Sequence, residues 1–328
     1  MCYPPPMRRI TSLLLCALVL AAAAPAAAET WPSRTVRIMV PFAAGGPADT
    51  LARVLADKLS RAWGHSIVVE NRGGAGGNIG AELAARAAPD GYTLLVNPSN
   101  HVINASLYDK LAYDPLADFV PLTEMASYML VLVVHPSVPV RTLEEFVAYA
   151  RAQPQGLAVA NASTGSPTHL TAALFAQAAG LKFVHVSYRG AAPANTDLLG
   201  GQVPAMFNNP VNALPQIRAG ALRAIAVTGR ERLALLPDVP TVAAEGYPGF
   251  EASTWYGLFA PAGVPPDVAA KVSADAIAAL RLPDVREKLA AQGFDVIASD
   301  PQAFAAVLKT EFAKWAAVIK AAGLKAAE

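Results

Sequence analysis

The sequence predicts an α/β fold with largely parallel sheets, and three observations carry that reading. Short β-rich runs alternate with alanine-rich stretches of helical periodicity, the helices open at recognisable caps, and loops of small residues join strand ends to helix starts. Candidate strands fall at residues 36–40, 67–70, 93–96, 130–134, 157–160, 183–186, 224–228 and 255–259. Between them, Ser166 caps a helix with Pro167 in its first turn, Leu170 and Leu174 on its buried face and Gly180 at its stop. Pro265-Pro266 precedes a further helix carrying Val268, Val272 and Ile277. Asp300-Pro301 opens the last one, where Phe304, Leu308, Phe312, Trp315 and Ile319 recur along one face.

The first 28 residues read as an address. Arg8 and Arg9 precede an apolar run at 10–20, and small residues lead to Ala26 and Ala28 just before Glu29. That is the pattern of a secretory signal peptide cleaved after about Ala28. The run is short of the roughly 20 residues that a membrane span needs. Both cysteines, Cys2 and Cys16, fall within this segment, so the expected mature chain has no disulfide, thiol nucleophile or cysteine metal site. The remaining 300 residues are enough for two lobes, each with its own core. Of 26 basic residues, Arg8 and Arg9 lie in the leader, leaving 24 against 25 acids. Such a balance provides no basic field for nucleic acid and no electrostatic hold on an anionic membrane.

One local pattern occurs four times, at 41–49, 71–78, 161–168 and 188–193: a strand ends, small residues follow, and a helix begins. Small residues let a ligand approach the backbone, and a helix start offers free N–H groups at the positive end of its dipole. In open α/β sheets such loops lie at the carboxyl ends of strands, where ligands bind. The candidate ligand contacts are therefore Phe42, Ala44, Gly45, Gly46 and Asp49 in the first loop and Asn78 in the second. The third supplies Ser163, Thr164, Gly165, Ser166, Thr168 and His169, and the fourth Tyr188, Arg189 and Gly190. Asp49 also reads as a first-turn carboxylate that complements the dipole or orders its loop. Gly74-Ala75-Gly76 with Gly80 has the look of a dinucleotide loop, but the next strand ends Val96-Asn97-Pro98 without the ribose-binding carboxylate.

Nothing in the sequence builds a catalytic or metal centre with conviction. The five histidines form no close ligand pair, and no G-x-S-x-G elbow is present. Ser163 or Ser166 with His169 has the residue types of a hydrolase triad, yet Ser166 stands where a helix cap belongs. Arg72 and Arg189 are exposed-type cations that can pair with an anion, and Trp255 and Tyr256 are candidates for a cleft wall, a hinge contact or core packing. No cofactor is expected.

The sequence resembles the substrate-binding proteins of tripartite tricarboxylate transporters, the Bug family. The likeness runs through Trp31-Pro32, Pro41-Phe42 with Gly45-Gly46 and Asp49, Val69-Glu70-Asn71-Arg72 with Gly76-Gly77-Asn78, and Pro89-Asp90-Gly91-Tyr92. It continues through Gly165-Ser166 with His169-Leu170, Tyr188-Arg189-Gly190, Leu198-Leu199-Gly200-Gly201-Gln202-Val203, Leu236-Pro237-Asp238-Val239-Pro240-Thr241 and Trp255-Tyr256-Gly257-Leu258. The resemblance implies a type II periplasmic-binding-protein fold, two α/β lobes with a ligand cleft between them and two crossover strands. It places lobe 1 at 29–134 plus 255–328 and lobe 2 at 135–254, with the runs at 130–134 and 255–259 crossing. It implies a monomeric periplasmic receptor that holds a small carboxylate through backbone groups and ordered waters, and hands it to membrane permease subunits. A receptor that presents ligand to a sensor kinase, and an exported serine hydrolase, are the alternatives. Three departures stand out: Pro47-Ala48 where a threonine is common, Arg189 where lysine is common, and Asn208 where an aspartate often follows the phenylalanine at 207. The last removes a negative partner for an amino group and points away from amino-acid ligands.

Overall fold

A computed structural model describes residue 1, residues 31–322 and residue 325. The expected signal peptide and both cysteines lie outside the described residues. The chain divides into two units, residues 1–33 and 34–328. In the first, only Met1 and residues 31–33 are described, and the Trp31–Pro32 peptide bond is cis. The second holds all the regular structure below. Among the described residues no helix is long and apolar enough to cross a membrane.

The first sheet is begun by β1 (Val36–Val40), which leads into α1 (Pro47–Trp63), β2 (Ile67–Asn71), α2 (Asn78–Ala85), β3 (Thr93–Pro98) and α3 (Asn100–Leu107). The long β4 (Phe119–Met129) follows. The chain then enters a second sheet with β5 (Val131–Val134), α4 (Leu143–Arg151), β6 (Leu157–Asn161), α5 (Pro167–Ala179), β7 (Phe183–Ser187), α6 (Ala191–Leu199), β8 (Ala205–Asn208), α7 (Pro210–Arg218) and β9 (Arg223–Val227). It returns through β10 (Ser253–Pro261), then α8 (Pro266–Arg281), α9 (Pro283–Ala290), β11 (Asp295–Val296) and α10 (Pro301–Ala322). The strand orders are β11-β4-β10-β3-β1-β2 and β7-β6-β8-β5-β9.

The sheets are mixed rather than largely parallel. β1 pairs in parallel with β2 and β3, and β6 with β7 and β8, through helical crossovers. β10 runs antiparallel to β3 and β4, and β5 antiparallel to β8 and β9. The physical reason is that β5 and β10 arrive from the other lobe without a crossover helix, so nothing constrains them to run parallel. The place of crossing also differs from expectation. The strand expected at 130–134 is not shared between lobes: β5 lies wholly in the second sheet, and the chain changes sheets at Leu130, between β4 and β5. The return occurs between Thr228 and Ala252, whose backbones bond to each other (Ala252 N–H to Thr228 O, 2.9 Å).

Each lobe has its own core. Met39, Leu95, Val102, Phe119, Phe259 and Phe304 pack in the first, and Val133, Leu198, Met206, Leu214 and Val227 in the second. A third apolar cluster joins Ile103 and Leu107 of α3 and Ile319 of α10 to Leu170 of α5, so the lobes also pack against one another. The helix starts follow the expected caps: Ser166 Oγ accepts from His169 N–H (3.3 Å), and Asp300 Oδ1 from Ala303 N–H (2.7 Å).

Candidate functional site

The four small-residue loops follow the carboxyl ends of β1, β2, β6 and β7, and they meet across the seam between the lobes. Ala43 N–H of the first lobe donates to Arg189 O of the second at 3.4 Å. Gly190 sits at φ +150°, where a Cβ would come within 2.9 Å of Ala43 Cβ. Opposite Gly76 lies Thr164 O, 3.0 Å from where a Cβ of residue 76 would stand. Gly165, at φ +75°, leaves room for Leu107 of α3, which its Cβ would overlap. These loops are built of glycine and alanine because backbone meets backbone there.

Inside the seam is a cavity of about 30 Å³, enclosed by Phe42, by the first turns of α1 (Pro47, Ala48, Asp49) and α5 (Pro167, Thr168), and by Ala191 and Asn209 at the starts of α6 and α7. Four helix N-termini thus converge from two lobes. Three of the helices open on proline, whose missing N–H costs nothing there, and the neighbouring first-turn N–H groups, such as those of Ala48 and Thr168, have no intrahelical acceptor, as at any helix start. Such a convergence of donors and dipole ends favours an anion. The opposite wall carries Tyr128 and Tyr256, both buried, with their hydroxyls 2.9 Å apart. Burial holds both phenols above their usual range, so they are neutral donors. One hydroxyl donates to the other, and the accepting one keeps its hydrogen for a neighbour. Beyond Phe42 a second pocket of about 270 Å³ lies between residues 73–77 and the pair Tyr188 and Arg189, with Ser163 on its wall.

The buried carboxylate at the centre of this frame is structural. Asp49 accepts from Gly45 N–H (3.0 Å), Asn71 Nδ2 (3.0 Å) and Arg53 Nε (2.8 Å). Burial acts to raise its pKa, but the bonds from Arg53, Gly45 and Asn71 outweigh that and hold it below its ordinary value. The cap position itself is Gly46, without a side-chain bond. Asp49 therefore orders the loop, which is the second of its two expected roles.

The expected residues separate into groups. Phe42, Gly46, Asp49, Ser166 and Thr168 enclose the smaller cavity, and Phe42, Ser163, Tyr188 and Arg189 the larger pocket. Ser163 Oγ is buried and has no hydrogen-bond partner among the described residues. Thr164, Gly165 and Gly190 form the contacts between lobes, while Ala44 and Gly45 lie on the exposed side of their loop. Four expected contacts are placed elsewhere. Asn78 accepts from Asn104 Nδ2 (2.6 Å) and Tyr113 Oη (3.1 Å) within the first lobe. Asn208 donates to Asn195 Oδ1 (2.9 Å) and accepts from Asn209 N–H (2.9 Å), so its side chain braces the second lobe and reads no ligand charge. Trp255 packs edge-on against Phe304 (centroids 5.4 Å) on the side of β10 away from the cavity, and it is Tyr256 that faces inward. His169 Nδ1 accepts Gly165 N–H (3.0 Å), with burial and then His185 lowering its pKa to about 4. Ser166 Oγ meets only the backbone N–H of His169; no hydroxyl is bonded to the His169 ring among the described residues, and Ser166 Oγ donates to Ser163 O (2.6 Å), so no serine–imidazole pair is assembled. Arg72 is engaged by Glu70 (2.5 Å) outside the cavity.

Two wall elements escaped the sequence reading. Asn209-Pro210 repeats the cap-then-proline signal of Ser166-Pro167, and Asn209 Oδ1 does accept Asn212 N–H (2.9 Å). Tyr128 had no such signal, since it lies on a strand that sequence alternation does not reveal.

Two α/β lobes joined by two crossings, with helix starts turned to a closed seam, define the two-lobed periplasmic-binding fold. The description "Tripartite tricarboxylate transporter family receptor" matches residues 51–324. Protein BugT of Bordetella pertussis is 38% identical over 305 residues, 92% of this chain and 94% of its own. A Rhodopseudomonas palustris protein solved with adipate superposes with TM-score 0.87 at 35% identity, covering 90% of this chain and 99% of its own. MatC of the same organism, solved with bound malate, gives 0.84 at 36% identity over 88% and 100%. The chain belongs to the tripartite tricarboxylate transporter receptor family.

Proposed function

We propose that this protein is a periplasmic receptor that captures a small organic carboxylate without turning it over and delivers it to the membrane permease subunits of a tripartite transporter, acting as a monomer after removal of its signal peptide. The observation that carries the reading is the convergence of four helix starts and a tyrosine hydroxyl pair on one small cavity. A carboxylate is the group such a frame recognises: it accepts from first-turn N–H groups at α1 and α5 and from one tyrosine hydroxyl, and needs no arginine fork. The rest of the ligand extends past Phe42 into the larger pocket, against Ser163, Tyr188 and Arg189. Family membership and the adipate and malate bound by its structural relatives support the same chemistry.

The test is a thermal-shift screen of the purified protein against mono-, di- and tricarboxylates, neutral sugars and amines. A cognate ligand at about 100 times its dissociation constant stabilises by roughly 2.7 kcal/mol, and it is recovered chemically unchanged. Stabilisation by sugars or amines alone overturns the carboxylate assignment, and a consumed ligand overturns capture without turnover. Gly46→Val, which fills the cavity from the α1 start, should abolish the shift, while Arg72→Ala should leave it in place.

A further inference from the structure

Behind the wall of the cleft lies a third cavity of about 450 Å³ that the capture of a carboxylate does not use. Alternation along the chain separates the two. Pro98 and Tyr256 face the cleft while their neighbours Ser99 and Trp255 face this cavity, and Pro167 borders both. Its walls come from both lobes: Leu170 and Leu174 on α5 from one, Trp255, Val307 and Trp315 from the other. The two indoles and the aliphatic side chains form one apolar wall within an otherwise polar lining, and that wall suits a planar aromatic body.

The rim decides the charge. Glu311 has both oxygens engaged, one by Lys314 (3.1 Å) and one by Trp315 Nε1 (2.8 Å). Lys314 stands 5.4 Å from the Trp315 ring centroid and has further N–H donors to give. Arg230 meets Glu251 through Nε (2.6 Å), its side chain is 82% exposed, and its two terminal nitrogens face no partner among the described residues. Lys314 and Arg230 thus keep N–H donors at the rim that no carboxylate there engages, and these can meet an anion. We infer that this cavity is a second small-molecule site, for a hydrophobic aromatic anion, distinct from the cleft. Both lobes supply its walls, and any influence that occupancy here has on the cleft is returned by the same factor.

The probe is 8-anilinonaphthalene-1-sulfonate titrated into the purified protein, read by energy transfer from tryptophan. One saturable site is expected, weakened about tenfold or more by Leu174→Glu, which brings an unpaired carboxylate into the apolar wall. Lys314→Glu on the exposed rim should weaken it severalfold with an unchanged melting temperature, and it serves if Leu174→Glu does not fold. Neutral N-phenyl-1-naphthylamine should bind more weakly than the sulfonate. Non-saturable binding, affinity indifferent to Lys314→Glu, or equal affinity for the neutral probe overturns the proposal. A failed carboxylate screen would leave these results unaffected.

Discussion

Asp49 is 4% exposed and ties three pieces of backbone and side chain together, so its removal should act on the whole first loop. Asp49→Ala leaves Gly45 N–H, Asn71 and Arg53 without their acceptor, and a loss of about 1–3 kcal/mol in urea melts at pH 7 is expected. The pH dependence follows from the lowered carboxyl pKa. Its contribution is fully present above the ordinary carboxylate value of about 4 and is lost as pH falls below that, through the folded value. The gap between wild type and Asp49→Ala should therefore shrink below pH 4, and a gap that persists at pH 2 would contradict this account. A second residue-scale prediction separates backbone strain from lobe contact. Gly190→Ala places a methyl 2.9 Å from Ala43 Cβ and 3.1 Å from its nitrogen, whereas Gly220, also at positive φ, has nothing within 4 Å. Both substitutions strain the chain by about 1–2 kcal/mol, but only Gly190→Ala should weaken carboxylate binding in calorimetry, by about tenfold or more, because it wedges the seam apart. Equal affinities in the two variants would show that the seam contact is immaterial to capture.

At the scale of elements, what sequence reveals depends on whether an element's neighbours keep its period. Strands β1, β6 and β7 stand out because short apolar runs are closed off by small-residue loops. The long β4 does not, since Pro121, Glu124 and Ser127 interrupt it and its register against β10 shifts twice, which breaks a period-two pattern. Four-residue β8 is too short to declare a period. Along β10, alternation places Trp255 and Tyr256 on opposite faces, but which face meets the cleft depends on α10, whose Phe304 takes Trp255. Asn208 misled for a related reason: Asn195, thirteen positions away, claims its amide, and nothing local announces that. Caps were legible because their chemistry is local. Ser166 shows this most fully, its Oγ accepting from Ser163 and His169 N–H groups while donating to Ser163 O. Ser166→Ala should lower stability by about 1–2 kcal/mol, measured by thermal melt. Ligand affinity should fall with it, because Thr168 N–H is held in place by the same turn; an unaltered affinity would detach this helix start from the site.

For the molecule as a whole, the decisive feature is how the two lobes are joined. Thr228 is fully buried where the two crossings run side by side. Its N–H donates to Leu130 O (2.9 Å), its Oγ1 accepts Leu130 N–H (2.8 Å) and donates to Ala252 O (2.6 Å), and its own carbonyl accepts Ala252 N–H (2.9 Å). One side chain therefore laces the outgoing and returning chains at the point where they pass from one sheet to the other. The lobes need a joint that bends without shearing if ligand is to shift the population between open and closed arrangements. Thr228→Val keeps the shape but strips the hydroxyl, leaving Leu130 N–H and Ala252 O unpaired in a dry interior. A loss of about 1–3 kcal/mol is expected, and so is a larger radius of gyration in small-angle X-ray scattering of the ligand-free protein, as the crossings separate. Thr228→Ser retains the hydroxyl and should match the wild type in both measurements. If Val and Ser variants scatter alike, the lacing stabilises the fold without setting the angle between the lobes, and closure is then governed by the contacts between the lobes themselves, those at Ala43, Thr164, Gly165, Gly190 and Leu170 among them.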